Sequence, residues 1–94
     1  MKPTRSEIAV QAAAETNMSA TVWTGSDETR IYLRRKNAAR TEAGYIRLYS
    51  KDGKMWSSVV VTASGKGART AQFEAEATLA RYKMLWKASQ SANA

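Results

Sequence analysis

Two short segments of the chain alternate between aliphatic residues and residues with a guanidinium or an aromatic ring. They are Arg30–Arg34 and Tyr45–Tyr49. A period of two is typical of β-strands, because successive side chains of a strand point to opposite faces. The alternation therefore predicts a sheet with one aliphatic face and one face on which Arg and Tyr lie together.

Two turn sequences give this sheet a register. Gly25-Ser26-Asp27-Glu28 is typical of a turn, and Asp52-Gly53 is the preferred sequence of a two-residue hairpin loop. The first turn sets Trp23 opposite Arg30, and Val22 opposite Ile31. The second sets Lys51 opposite Lys54 and fixes the pairs beyond it. Those pairs are Tyr49 with Trp56, Leu48 with Ser57, Arg47 with Ser58, Ile46 with Val59, and Tyr45 with Val60.

The register sorts the strand residues into two sets, one for each face. The predicted aliphatic face contains Val22, Ile31, Leu33, Ile46, Leu48, Met55, Val59 and Val61. The predicted opposite face contains Trp23, Arg30, Tyr32, Arg34, Tyr45, Arg47, Tyr49, Trp56 and Val60. Because the two turns are independent of each other, the agreement between the two hairpins supports the fold.

The remainder of the chain predicts two helices. Thr4 and Glu7 have capping-box spacing at the start of a helix over residues 4–16, and residues 68–88 are rich in helix formers. The expected fold is α+β in a single domain, residues 1–94. It has a short N-terminal helix, a four-stranded antiparallel meander over residues 20–62, and a long C-terminal helix packed on one sheet face. Residues 37–44 are expected to form a polar loop, and residues 89–94 to fray.

The C-terminal helix has two apolar stripes on nearly opposite sides. One is Phe73, Ala77, Ala80 and Met84; the other is Ala71, Ala75, Leu79, Tyr82 and Trp86. One sheet covers only one stripe, so the other must meet the N-terminal helix, a second subunit or a ligand. We expect a homodimer, with Leu79, Tyr82 and Trp86 in the dimer packing.

The composition narrows the function. The net charge is +7, and residues 29–62 carry eight basic and two acidic residues, which favours a polyanionic partner. The chain has no cysteine and no histidine, so it has no thiolate zinc site and lacks the commonest general base and the commonest transition-metal ligand. We expect no enzymatic activity and no cofactor. No apolar run is long enough for a membrane helix, and we expect a cytoplasmic protein.

Planar rings beside guanidiniums suit nucleic acid, because rings stack on bases and guanidiniums contact phosphate. The residues predicted to bind a nucleic acid or another partner are Trp23, Arg30, Tyr32, Arg34, Arg35, Lys36, Arg40, Tyr45, Arg47, Tyr49 and Trp56. Lys66 and Arg69, at the start of the second helix, are candidate phosphate contacts. The alternative is that the segment around Lys66 only connects the last strand to the helix, a connection that needs glycine.

The layout over residues 20–88 resembles that of Whirly-type single-strand-binding domains, which pair through helices. No sequence motif carries the resemblance, which implies a fold and a helix-mediated dimer as expectations. The leading hypothesis is a small basic protein that binds single-stranded DNA or RNA. The alternative is a small inhibitor or adaptor of mobile-element or phage type that uses the same face against a protein, since Tyr, Trp and Arg are enriched at protein interfaces. A third possibility is that the face is buried between two subunits.

Overall fold

The fold consists of one antiparallel sheet with both helices on the same side. The computed structural model describes residues 3–35, 43–51, 54–63 and 65–91. The four strands lie in the order β1-β2-β3-β4, and each is antiparallel to its neighbour. The predicted α+β class and meander are confirmed. The elements are α1 (Arg5–Glu15), β1 (Met18–Thr24), β2 (Glu28–Arg35), β3 (Ala43–Lys51), β4 (Lys54–Val61) and α2 (Lys66–Ser91).

The strand register agrees with both predicted hairpins. Trp23 pairs with Arg30, and the Gly25 N–H donates to the Glu28 carbonyl at 2.7 Å to close the first turn. Every predicted pair of β3 with β4 is present, from Lys51 with Lys54 to Tyr45 with Val60. Residues 52 and 53, the predicted turn itself, lie outside the described residues.

Helix α1 begins and ends with recognisable capping interactions. The Glu7 N–H donates to the Thr4 hydroxyl, and the Thr4 N–H donates to the Glu7 carboxylate, which together form the predicted capping box. Asn17 has a φ of 62°, a left-handed conformation that asparagine tolerates, and it ends the helix abruptly. The chain therefore enters β1 at Met18, before the expected start of the sheet at residue 20.

The core lies between the aliphatic sheet face and the two helices. Ile31, Leu33, Ile46 and Leu48 are buried, as the alternation predicts, and Val22 and Val59 pack against them. From α1, the core takes Ile8 together with three buried alanines, Ala9, Ala12 and Ala13. Small side chains on this helix face let its backbone approach α2 and β1 closely.

Two polar contacts join the helices. The hydroxyls of Thr16 and Thr78 are 2.7 Å apart, and Thr78 is itself buried. Arg81 donates from Nε and an Nη to the Glu15 carboxylate, at 3.2 and 2.9 Å. Because these contacts link the C-terminal end of α1 with the middle of α2, they set the relative position of the two helices.

The covered stripe of α2 is the one that the sequence analysis assigns to a dimer. Ala71, Ala75 and Tyr82 are buried, and Leu79 and Trp86 pack against the same core. Within this chain, α1 and the sheet together cover this stripe, with Tyr82 buried and Leu79 and Trp86 partly buried. The predicted role of these three residues in dimer packing stays a prediction. The stripe containing Phe73 and Met84 is the exposed one.

Helix α2 is also longer than the predicted 68–88. Gly65 has a φ of 65°, which glycine adopts at little cost, and the helix begins at the next residue. At the other end, the Ser89 hydroxyl donates to the Trp86 carbonyl at 2.8 Å, and the helix continues to Ser91. Residues 89–91, which the sequence predicts to fray, are therefore helical. Residues 92–94 lie outside the described residues.

Candidate functional site

The sheet face opposite the helices brings the predicted binding residues of the strands onto one surface. Cross-strand pairing forms rows, such as Trp23–Arg30–Arg47 and Tyr32–Tyr45. Because paired residues share a face, the rows follow directly from the register. We call this surface the outer face. Its members are Trp23, Glu28, Arg30, Tyr32, Arg34, Tyr45, Arg47, Tyr49, Trp56 and Val60.

Three of its rings are accessible. Trp23 is 51% exposed, Trp56 is 53% exposed and Tyr32 is 41% exposed. They lie on β1, β4 and β2, so they span the whole width of the sheet. Tyr45 and Tyr49, on β3, are half-buried and therefore less accessible than these three rings. A partner that lies across the strands can therefore contact several rings at once.

Neighbouring rings support each other. Tyr49 and Trp56 are stacked, with centroids 4.5 Å apart and an interplanar angle of 22°. Tyr32 and Tyr45 are tilted by 39°, with centroids 5.5 Å apart. Both pairs are direct cross-strand neighbours, and aromatic pairs of this kind add stability beyond their buried area. The exposed rings are thus held in place before any partner arrives.

Trp23 is held by a different set of contacts. The Arg30 guanidinium lies over the indole at 5.4 Å, a cation–π contact. A Cβ placed on Gly25 would lie 2.9 Å from the far edge of the same ring. The indole therefore rests against the turn between β1 and β2, where only a glycine leaves room for it in this position.

The Arg47 guanidinium lies between two tyrosines of its own strand. Its Nη atoms donate to the hydroxyls of Tyr49 at 2.8 Å and Tyr45 at 3.3 Å. The guanidinium carbon is 5.4 Å from the Tyr49 ring and 5.8 Å from the Tyr45 ring. On β2, an Arg30 Nη donates to the Tyr32 hydroxyl at 3.3 Å. These contacts orient both guanidiniums along the surface.

Glu28 joins these two arginines and was missing from the predicted site. Its Oε1 accepts from the Arg30 Nε at 2.8 Å and lies 3.1 Å from the Arg47 Nε. Hydrogen bonding to Arg30 and the charges of both arginines lower the pKa of Glu28, against a smaller opposing effect of desolvation. The sequence placed Glu28 in a turn. Its spacing of two from Arg30 would have indicated the shared face.

The described part of the outer face is cationic overall. Its described side chains include three arginines, Arg30, Arg34 and Arg47, and one carboxylate, that of Glu28, which together give a net charge of +2. Arg34 is exposed, at the end of β2 that leads to the predicted basic loop. Beside it lies a shallow groove of about 410 Å³. The groove is lined by Ser19, Thr21, Tyr32, Leu33, Arg34, Ala43, Gly44, Tyr45 and Thr62.

The other predicted binding residues are not part of this described surface. Lys36 and Arg40 lie outside the described residues, and the side chains of Arg35 and Lys66 are likewise not described. Arg69 is exposed on α2, beside a groove lined by Phe73 and Val61 on the helix side of the sheet. Among the described residues, no set of three carboxylates is grouped to hold a metal ion. In the same part of the chain, neither helix is long and apolar enough to cross a bilayer.

Comparison of the chain with protein-family models, with curated proteins and with solved structures gives no significant match. The resemblance to Whirly-type domains thus receives no support from these comparisons.

Proposed function

We propose that the outer face binds single-stranded nucleic acid, either DNA or RNA. The observation that carries the proposal is the exposure of Trp23, Tyr32 and Trp56 on a sheet face whose guanidiniums lie beside them. Bases stack on such rings whatever their sequence, and arginine contacts the phosphates that connect them. The protein would act as a binding protein without a catalytic step, in the cytoplasm.

The shape of the surface favours a single strand over a duplex. A flat sheet does not enter a major groove as a helix does, whereas unpaired bases splay onto an open sheet. The rings on β1 and β4 are three strand separations apart, which is about 14 Å. Along the strands, the row of Trp23 lies between the row of Tyr32 and the row of Trp56, so a nucleic-acid strand that contacts all three rings would run diagonally across the sheet.

The phosphate contacts in this proposal come from Arg34 and from the basic segment that follows β2. Arg34 is exposed beside the groove, and Arg35, Lys36 and Arg40 follow it in the sequence. Arg30 and Arg47 are already engaged by Glu28, so we assign them first to holding the rings. Replacing Arg34 by Gln should then lower the salt dependence of binding by about one phosphate contact.

Ring removal tests the proposal. Fluorescence anisotropy with a labelled single-stranded oligonucleotide, at low and at moderate salt, should show salt-sensitive binding by the wild type. Trp23→Ala and Trp56→Ala should each weaken binding by about 1–3 kcal/mol, roughly 5- to 150-fold. Val10→Ala is the control, because Val10 on α1 is as exposed as Trp23 but is far from the outer face. Absence of binding at low salt, or equal effects of the three variants, would contradict the proposal.

Glu28 provides a second test, in which binding should improve. Glu28→Gln removes the carboxylate that occupies Arg30 and Arg47, so a phosphate chain should bind more tightly and with a steeper salt dependence. Glu15→Gln is a matched control, because Glu15 also pairs with an arginine, Arg81, but between the helices. If the two variants bind alike, the local charge of the outer face does not attract the ligand.

The ion pairs of Glu28 with Arg30 and Arg47 also favour the alternative, a protein partner. Trp, Tyr and Arg are enriched at interface hot spots, and here two of the arginines already share a carboxylate and the Trp56 ring is stacked on Tyr49. In that case the chain would be a small inhibitor or adaptor of mobile-element or phage type. A pull-down with nuclease-treated lysate distinguishes the two. A protein that is retained, and is lost with Trp23→Ala, favours the alternative; copurifying nucleic acid in the untreated sample favours the first proposal.

A further inference from the structure

The outward side of α2 carries the two most exposed large apolar side chains of the described residues. Phe73 is 71% exposed and Met84 is 63% exposed. Between them lie Ala77 and Ala80, and the spacings of four, three and four residues put all four side chains in one row. We call this row the Phe73 stripe. It points away from the core, since the opposite side of the helix carries the buried Ala75 and Tyr82.

The order of residues in the Phe73 stripe reads the same in both directions: large, small, small, large. Phe73 and Met84 lie equally far from a point between Ala77 and Ala80, about 8 Å along the helix axis in each direction. A second α2, placed antiparallel across a two-fold axis at that point, would set Phe73 against Met84 of the other copy. It would also set Ala77 against Ala80. Small residues at the centre allow close approach, and a thioether packs well at an aromatic edge.

The charges beside the stripe fit the same antiparallel arrangement. Glu76 and Lys83 are both exposed, and a spacing of seven residues puts them on one flank of the stripe. An antiparallel two-fold pair sets each flank against the same flank of its copy, which brings Glu76 within about 3 Å axially of Lys83. A parallel two-fold pair would instead set this flank against the opposite flank of the copy, so Glu76 and Lys83 would not meet, and it would align the two helix dipoles. The next cations outward, Arg69 and Lys87, lie about 14 and about 13 Å along the helix from the two-fold axis, where crossing helices have diverged.

From this symmetry and charge pattern, we infer that the Phe73 stripe is a homodimer interface in which two α2 helices pack antiparallel. The partner is a second copy of this chain. The two helix layers form the centre of the dimer, and the two outer faces point away from each other. The inference holds whatever the outer face binds. It replaces the dimer surface expected from the sequence with the opposite side of the same helix.

Sedimentation equilibrium on the full chain tests the interface. The wild type should be a dimer, and Phe73→Glu should weaken dimerisation at least about tenfold while the circular dichroism spectrum is unchanged. Val10→Glu is the control, because it introduces the same charge at an exposed apolar position on α1 and should leave the dimer intact. A wild type that is monomeric up to about 1 mM, or a dimer that Phe73→Glu leaves unchanged, would overturn the inference.

Exchanging the charges of Glu76 and Lys83 tests the antiparallel geometry. Both side chains are exposed, so these substitutions should leave the fold of the chain unchanged. Glu76→Lys alone should weaken the dimer, because the introduced ammonium group then lies against the partner's Lys83. Adding Lys83→Glu to the same chain should restore the dimer, since each new glutamate then meets a new lysine. Failure of the second substitution to rescue the first would rule out this geometry.

Crosslinking provides an independent check. The natural sequence has no cysteine, so only the introduced thiols can form a disulfide. A mixture of the single variants Phe73→Cys and Met84→Cys should form a disulfide between the two different chains. Each variant alone should not, because its two thiols would be about 16 Å apart along the axis. Crosslinking of each variant with itself would indicate a parallel pair and overturn the inference.

Discussion

The two faces of the sheet are built from the same strands but are held together by different forces. On β3, Ile46 and Leu48 are buried under the helices, while Tyr45, Arg47 and Tyr49 alternate with them on the outer face. The inner face is stabilised by removal of apolar surface from water. The outer face is organised by ring stacking, cation–π contacts and an ion-pair network.

Folding stability and the contacts of the outer face should therefore be separable in this protein, residue by residue. Burial on the inner face contributes most of the folding free energy, whereas exposed ion pairs and aromatic contacts contribute about 1 kcal/mol each or less. Neighbouring substitutions on one strand should therefore have opposite consequences. Those on the inner face should lower the free energy of unfolding strongly, and those on the outer face should change it little and alter the contacts of that surface.

The largest expected effect is a truncation on the inner face. Ile46 is fully buried, so Ile46→Ala should lower the free energy of unfolding by about 2–5 kcal/mol, from lost burial and the cavity left behind. Val60→Ala, on the exposed side of β4, should cost about 1 kcal/mol or less. Urea denaturation of the two variants measures both. Similar losses would show that the two faces do not differ in this way.

A smaller effect is expected from the ion pairs of Glu28. Because its pKa is lowered in the folded chain, chiefly by the hydrogen bond from Arg30, Glu28 stabilises the fold above its ordinary pKa of 4.5. That stability should be lost as the pH falls through the lowered pKa. Glu28→Gln should thus be less stable than the wild type near pH 7, and the two should converge in acid. A difference that stays constant with pH would exclude this linkage.

Tyr82 should show the opposite dependence on pH. Its hydroxyl is buried without a hydrogen-bond partner among the described residues, and burial raises its pKa above 10.0. The unfolded chain therefore loses this proton first, and the stability that Tyr82 contributes should fall as the pH rises above 10. Tyr82→Phe should be about 1 kcal/mol more stable at pH 7, and its advantage should grow at alkaline pH. Destabilisation by Tyr82→Phe at pH 7 would show that the hydroxyl has a partner.

The smallest effect is expected at Gly44, where β3 passes beneath α2. A Cβ at this position would lie 3.6–3.7 Å from its nearest neighbours, among them Val61 and Ala75, which is ordinary contact. Gly44→Ala should then raise the free energy of unfolding by about 0.4–1 kcal/mol, because it restricts the unfolded chain. Thermal denaturation measures the change. A clear loss of stability would mean that the inner face is packed more tightly beneath α2 than these distances indicate.

The strands and their register could be predicted because the information is local. The alternation fixes which residues share a face, and two short turns fix which residues are opposite each other. The sequence therefore indicated nearly all described members of the outer face. It missed Glu28, because a carboxylate next to a turn has a local explanation, and only the rows of the sheet show that it lies between Arg30 and Arg47.

The helices show where local information ends. The two apolar stripes of α2 can be read from its residues alone, since a stripe depends only on spacing along one helix. Which stripe is covered, that of Leu79, Tyr82 and Trp86, depends on where α1 and the sheet meet α2, and this follows from the packing of the whole chain. The alanines of α1 let it approach closely enough to cover that stripe, which leaves Phe73 and Met84 on the outside.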